Sequence, residues 1–196
     1  PPIFVSNVYM VNTEISLQSS TYNVDVNRGT INTLLNGNVA VIQIETTQSN
    51  SVNPFSHGSI AFQNAVIDKT SIGLNVISFS SSITQIKVAN GSVMSTLTFP
   101  HQHMQNNVKN RRTIIIERVS GGRNIQVFVN GIESTTGTQF TPAVGNIYDH
   151  GNVIFGNGFS LKFDGILHRL SISKNRMFLS NCTSCTEMSS KAVSAV

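Results

Sequence analysis

The ionisable side chains of this 196-residue chain are few, and their spacing limits the chemistry they could perform. The acids are Glu14, Asp25, Glu45, Asp68, Glu117, Glu133, Asp149, Asp164 and Glu187. No two stand at i and i+2, the spacing that puts a carboxylate pair on one face of one strand for attack on a glycosidic bond. A serine nucleophile elbow, a P-loop and a dinucleotide fingerprint are also missing from the sequence. Gly156-Asn157-Gly158 reads as a loop, since no helix follows to make it a phosphate cradle. These features point away from an enzyme.

Other groups suit binding. His101-Gln102-His103 puts two imidazoles on one side of an extended segment, and His150 follows Asp149 in a long loop. A transition metal would require a third converging ligand, so these histidines are read as exposed loop residues. Lys109, Arg111 and Arg112 place three cations within four residues, either a positive patch suited to a sulfated glycan, RNA or an acidic neighbour or a solvated strand entrance. Cys182 and Cys185 form a lone C-x-x-C without the second pair of a structural zinc site, so a local disulfide or free thiols are expected. Asn90 and Asn181 begin N-x-S/T sequons, which accept glycans if the chain is secreted.

The elements that must position these groups are strands. Only 11% of residues are charged, 39% are hydrophobic, and about a third are Asn, Ser or Thr. That composition excludes a coiled coil or a charge-rich disordered chain, and it favours turns and sheet faces over helices. Thirteen basic against nine acidic residues give a formal charge of +4, but the basic residues are scattered outside 109–112, so nucleic acid is not the expected partner. No window approaches the ~18 consecutive apolar residues of a membrane span.

Runs of period two recur at 3–10, 15–17, 22–26, 38–45, 59–67, 74–80, 83–89, 93–99, 113–119, 124–129, 153–155 and 160–173. Asn90-Gly91 and Gly121-Gly122 predict two hairpins with type I′ turns. Residues 113–116 are apolar without alternation, which predicts a strand buried on both faces or abutting a partner. In 160–173, Phe163, Leu167, Leu170 and Ile172 share one face only if a β-bulge intervenes, and a bulge is expected. The reading is one β-sandwich over 1–179, with N-terminal strands in 1–35, and a C-terminal tail or arm over 180–196. The Pro1-Pro2 start, with neither Met nor signal peptide, suggests upstream cleavage or excision from a longer chain.

The stretch from Arg111 to Gly131, then Gly151 to Asn157, then Phe163 to Met177, resembles the closing motif of concanavalin A-like, laminin G-like jelly rolls. The resemblance implies an all-β, antiparallel two-sheet jelly-roll sandwich. It also implies a possible rim calcium, for which Asp149, Asn152 and Asn146 are the candidates. The E-x-D-x-x-E pattern of related glucanases is absent, and His168 and Arg169 stand where relatives usually carry acids.

The function expected is a non-enzymatic recognition or adhesion module. Loops 46–58, 100–110 and 134–152 would bind carbohydrate or protein, using Tyr148, Asp149, His150, Asn152, His101, His103, Lys109, Arg111 and Arg112. The alternative is a structural subunit or surface projection of a virion, released from a polyprotein, with neighbouring subunits as partners; a glycan hydrolase is the minor alternative. Both leading readings expect an extracellular, cell-surface or virion location.

Overall fold

The period-two runs fold into strands, and the computed structural model describes residues 3–5, 8–11, 14–20, 22–25, 28–49, 60–61, 67–149, 152–155, 157–158 and 161–174. The strands are β1 (Ile3–Val5), β2 (Val8–Val11), β3 (Ile15–Ser20), β4 (Tyr22–Asp25), β5 (Val39–Gln48), β6 (Ile60–Ala61), β7 (Ile72–Ser80) and β8 (Ile83–Asn90). They continue as β9 (Met94–Pro100), β10 (Lys109–Val119), β11 (Gly122–Val129), β12 (Ile132–Glu133), β13 (Gln139–Thr141), β14 (Asn152–Phe155), β15 (Asn157–Gly158) and β16 (Leu161–Ser173). One sheet runs β1-β2-β16-β5-β10-β11-β12, with β3 and β15 also on β16 and β13 on β11. The other runs β4-β14-β6-β7-β8-β9. No helix among the described residues is long and apolar enough to cross a membrane.

Alternation sorts the side chains. Ile42 and Ile44 of β5, Ile114 and Ile116 of β10, Ile125 and Val127 of β11, and Leu170 and Ile172 of β16 face inward. They meet Leu74 and Val76 of β7, Ile86 and Val88 of β8, and Phe99 of β9 from the facing sheet. Each such buried side chain contributes roughly 1.5–3 kcal/mol. Residues 113–116 are all buried, as their unbroken apolar run predicts.

The expected bulge is present. Leu167 pairs with Thr46 and Arg169 with Glu45, leaving His168 as the extra residue. Phe163 and Leu167 before it, and Leu170 and Ile172 after it, all reach the core. Gly165 marks a second irregularity: its φ is +146°, and a Cβ there would clash with the Thr47 carbonyl oxygen.

Two local expectations are corrected. Residues 1–35 are not only strands: α1 (Arg28–Leu35) buries Ile31, Leu34 and Leu35, an i, i+3, i+4 set that the strand-dominated reading passes over. The turns also differ. Gly91 has positive φ (93°) but Asn90 does not; the connection spans Asn90 to Val93, and Asn90 Oδ1 accepts the Ser92 and Val93 N–H groups. In the next hairpin the two-residue loop is Ser120-Gly121, and only Gly121 has positive φ. The turn with both central residues at positive φ is Asn130-Gly131, at 51° and 83°, between Val129 and Ile132.

One end of the core is polar. Arg112 shares the parity of Ile114 and Ile116, so it points inward and donates to Ser78 Oγ at 2.7 Å. Burial pulls its pKa down to about 10. This corrects the surface patch expected of residues 109–112, from which Arg112 is removed. His101, 8% exposed, is likewise not a surface ligand: its Nδ1 lies 2.9 Å from Gln102 O and its Nε2 2.9 Å from Thr84 Oγ1. Because a carbonyl only accepts, Nδ1 carries the proton and Nε2 accepts from Thr84.

Two predictions follow from these contacts. Gly165→Ala combines positive-φ strain with a backbone clash and should cost about 3 kcal/mol or more, lowering the melting temperature by roughly 6 °C or more. For His101, burial outweighs the Gln102 bond, and Arg112 adds to it, so the folded-state pKa lies below 6.5. The unfolded chain therefore takes up the proton first, and stability present above that pH is lost as pH falls towards the folded value. Between about pH 7.5 and about pH 5, the wild type should lose more melting temperature than His101→Gln.

Candidate functional site

Of the loops singled out in the sequence, the described part of 46–58 meets 100–110 through Asn107 N–H to Gln48 O, and the start of 134–152 joins them through Thr135 N–H to Pro100 O, whereas its 145–149 part lies elsewhere. The length of β10 separates its Lys109 and Val119 ends by roughly 30 Å. At the Lys109 end, Met104 N–H donates to Ser81 O, Asn107 N–H to Gln48 O, and Ser49 N–H to Asp164 O. The 101–108 segment therefore sits beside the end of β5. His103 is exposed there, its Nδ1 2.7 Å from Ser81 Oγ.

The 145–149 segment lies at the opposite end. Asn36, just after α1, donates to Tyr148 O and accepts the Ile147 and Tyr148 N–H groups. This clamp buries Tyr148 completely in the core, which corrects its expected role as a stacking surface. Asn146 and Asp149 are exposed nearby. Arg118 and Arg123 both donate to Gly145 O, and burial pulls the Arg123 guanidinium down to about 10, still charged at neutral pH. A calcium ion needs roughly six to eight oxygen ligands. Two guanidiniums beside Asn146 oppose that charge, so the described residues there do not favour the ion. Among the described residues, no group of three or more His, Cys, Asp or Glu could hold a metal.

Several candidates fall outside the described residues: His150, Asn181, Cys182, Cys185 and most of loop 46–58. Asn152 is described only as the backbone partner of Asp25. Asn90 donates through Nδ2, the atom a glycan would occupy, to Val144 O.

A polar constellation lies on the outer face of the ten-stranded sheet, where alternation places Gln43, Glu45 and Thr47 of β5. Register sets Arg111 and Arg169 on either side of Glu45. Arg169 Nη2 donates to Glu45 Oε1 at 2.9 Å, and Arg111 Nε lies 4.0 Å from the same oxygen. The Arg169 side chain is 1% exposed, that of Glu45 8% and that of Arg111 31%, so Arg111 is the member that reaches solvent. Two guanidiniums against one carboxylate leave a net positive charge. Exposed Lys109 stands opposite Thr47 one row further along.

In that row His168 lies between Thr47 Oγ1, 2.7 Å from Nε2, and Glu14 Oε1, 3.0 Å from Nδ1. The His168 side chain is 12% exposed and that of Glu14 72%. Sequence reasoning missed Glu14, Glu45 and Thr47. The polar alternation Gln43, Glu45, Thr47 marks a polar strand face, but nothing in it names partners more than a hundred positions away.

No protein-family model matches the chain, and no curated protein matches it. Solved structures do. The CBM40 of Ruminococcus gnavus IT-sialidase, bound to alpha2,3 sialyllactose, superposes with a TM-score of 0.59 at 18% identity, covering 85% of this chain and 91% of that one. The K499G mutant of NanB sialidase from Streptococcus pneumoniae gives 0.60 at 12% identity over 90% of this chain and 28% of that one. The leech intramolecular trans-sialidase gives 0.57 at 15% identity, over 95% and 28% respectively. This chain thus spans little more than a quarter of the two sialidases. At these identities the likeness establishes architecture: the chain has the concanavalin A-like jelly-roll sandwich fold.

Proposed function

We propose that the chain is a carbohydrate-binding module that takes an acidic sugar on the outer face of its ten-stranded sheet, around Arg111 and Lys109. The observation that carries this reading is the Arg111–Glu45–Arg169 row. Glu45 is anchored from one side by buried Arg169, and its carboxylate lies 4.0 Å from the Arg111 guanidinium, nearly a third of whose side chain is open to solvent. A solvent-facing guanidinium engages a planar carboxylate through paired N–H donors. Lys109 adds a second cation, and Gln102, His103, Gln105 and Asn106 are exposed at the same end as donors and acceptors for hydroxyls. The likeness to a module solved with a sialylated trisaccharide supports the same ligand class. This reading places the chain outside the cell or on a virion, as a recognition or adhesion module without turnover of the glycan.

Calorimetric titration tests it. Alpha2,3 sialyllactose should bind the wild type, and lactose, which lacks the carboxylate, should bind at least about tenfold more weakly. Arg111→Ala should weaken sialyllactose by about tenfold to a hundredfold, the worth of one charge-assisted contact. Its melting temperature should move by less than about 4 °C, because a partly exposed ion pair adds little stability. Equal affinity for the two sugars, or no binding of either by a folded monomer, would remove the acidic-sugar site. Light scattering from particles in place of monomers would favour an assembly subunit.

A further inference from the structure

We propose that Thr47, His168 and Glu14 form a nucleophile–base–carboxylate relay that hydrolyses small carboxylic esters through an acyl-threonine intermediate. This goes beyond glycan binding and does not depend on it. The geometry carries the argument. Thr47 Oγ1 lies 2.7 Å from His168 Nε2, and His168 Nδ1 lies 3.0 Å from Glu14 Oε1. A carboxylate can only accept, so the shared proton of neutral His168 sits on Nδ1, and the Nε2 lone pair faces the Thr47 hydroxyl. Both distances are within the reach expected of a nucleophile, its base and the group that orients the base.

The arrangement is built by the fold and not by local sequence, since its partners are 121 and 154 positions apart. His168 is the extra residue of the β16 bulge, and bulges commonly re-aim a side chain beside a reactive group. Its imidazole is largely withdrawn from water, whereas Thr47 is half-buried. Lys109, opposite Thr47 in register, supplies the nearby positive charge for an oxygen turning negative.

The chemistry balances without a metal, a cofactor or a redox partner. Thr47 Oγ1 attacks the ester carbonyl carbon as its proton passes to His168 Nε2. The tetrahedral species collapses by breaking the bond to the alcohol oxygen, which takes that proton and leaves as the free alcohol. Water, deprotonated by the same nitrogen, then attacks the acyl-threonine. The acid is released, and the proton returns to Thr47. Glu14 holds the ring and stabilises the transient imidazolium.

The test uses para-nitrophenyl acetate with the full chain at neutral pH. The wild type should release nitrophenol faster than Thr47→Ala and His168→Gln by about tenfold or more, with Thr47→Ser retaining turnover. The double variant should be no slower than either single one, because the two groups act as a unit. Peptide mapping of acid-quenched wild type should place an acetyl group on Thr47, a readout that does not depend on any variant folding. Equal rates in wild type and Thr47→Ala, or acetyl found only elsewhere, would overturn the relay and leave Thr47–His168–Glu14 as a structural hydrogen-bond chain. Sialyllactose titration of the same wild-type sample separates this outcome from failure of the binding site.

Discussion

His168 is one residue more than the pairing of β16 with β5 can accommodate, and the consequences of that insertion reach both faces of the larger sheet. Before the bulge, Phe163 and Leu167 point inward; after it, the parity changes and Leu170 and Ile172 point inward. Without the extra residue, a strict two-residue repeat would send one of these pairs to the outer face. The same shift leaves His168 and Arg169, neighbours in sequence, on the same outer face. There Arg169 anchors Glu45 and His168 meets Thr47 and Glu14. Core packing and the polar constellation therefore depend on one local irregularity.

Charge is scarce in this chain, and it is placed where it does structural work as well as surface work. Three of the largest fully buried side chains are arginines, at 112, 123 and 169. Arg123 donates to the carbonyls of Ala143 and Gly145, and Arg118 also reaches Gly145 O, so two guanidiniums strap the 143–145 segment against the edge of the larger sheet. Arg169 meets a carboxylate directly. Planar guanidiniums suit such sites, because several fixed donors can be satisfied by neutral oxygens without a full complement of acids. By contrast, Lys109 is exposed and Arg111 partly so.

The two ends of the sandwich also have different characters. At the Asn36 end, one asparagine closes three hydrogen bonds to Ile147 and Tyr148, and a tyrosine in a polar loop becomes core. At the Lys109 end, exposed amides and His103 surround the entrance to β10. Gln102 donates to Val129 O and His103 meets Ser81 there, so the second end is tied to the body while keeping Gln102, His103, Gln105 and Asn106 exposed.

The strand pattern, the buried 113–116 run and the bulge in the last strand were legible in the sequence, because each depends on side-chain parity within one segment. So was the inward turn of Arg112, which shares parity with Ile114 and Ile116, although clustering with Lys109 and Arg111 drew it into a surface patch. The i, i+3, i+4 set of Ile31, Leu34 and Leu35 was also present, but a polar background of strand formers concealed it. Which strands neighbour one another, and in what register, is not encoded in any single segment. Glu45 meets Arg111 and Arg169, and Thr47 meets His168, only after β5 is placed between β10 and β16. The burial of Tyr148 likewise depends on Asn36, 112 positions away. Local periodicity set which face each side chain takes, and tertiary pairing decided which distant groups came within hydrogen-bond reach, because that reach is a property of neighbouring strands and not of sequence distance.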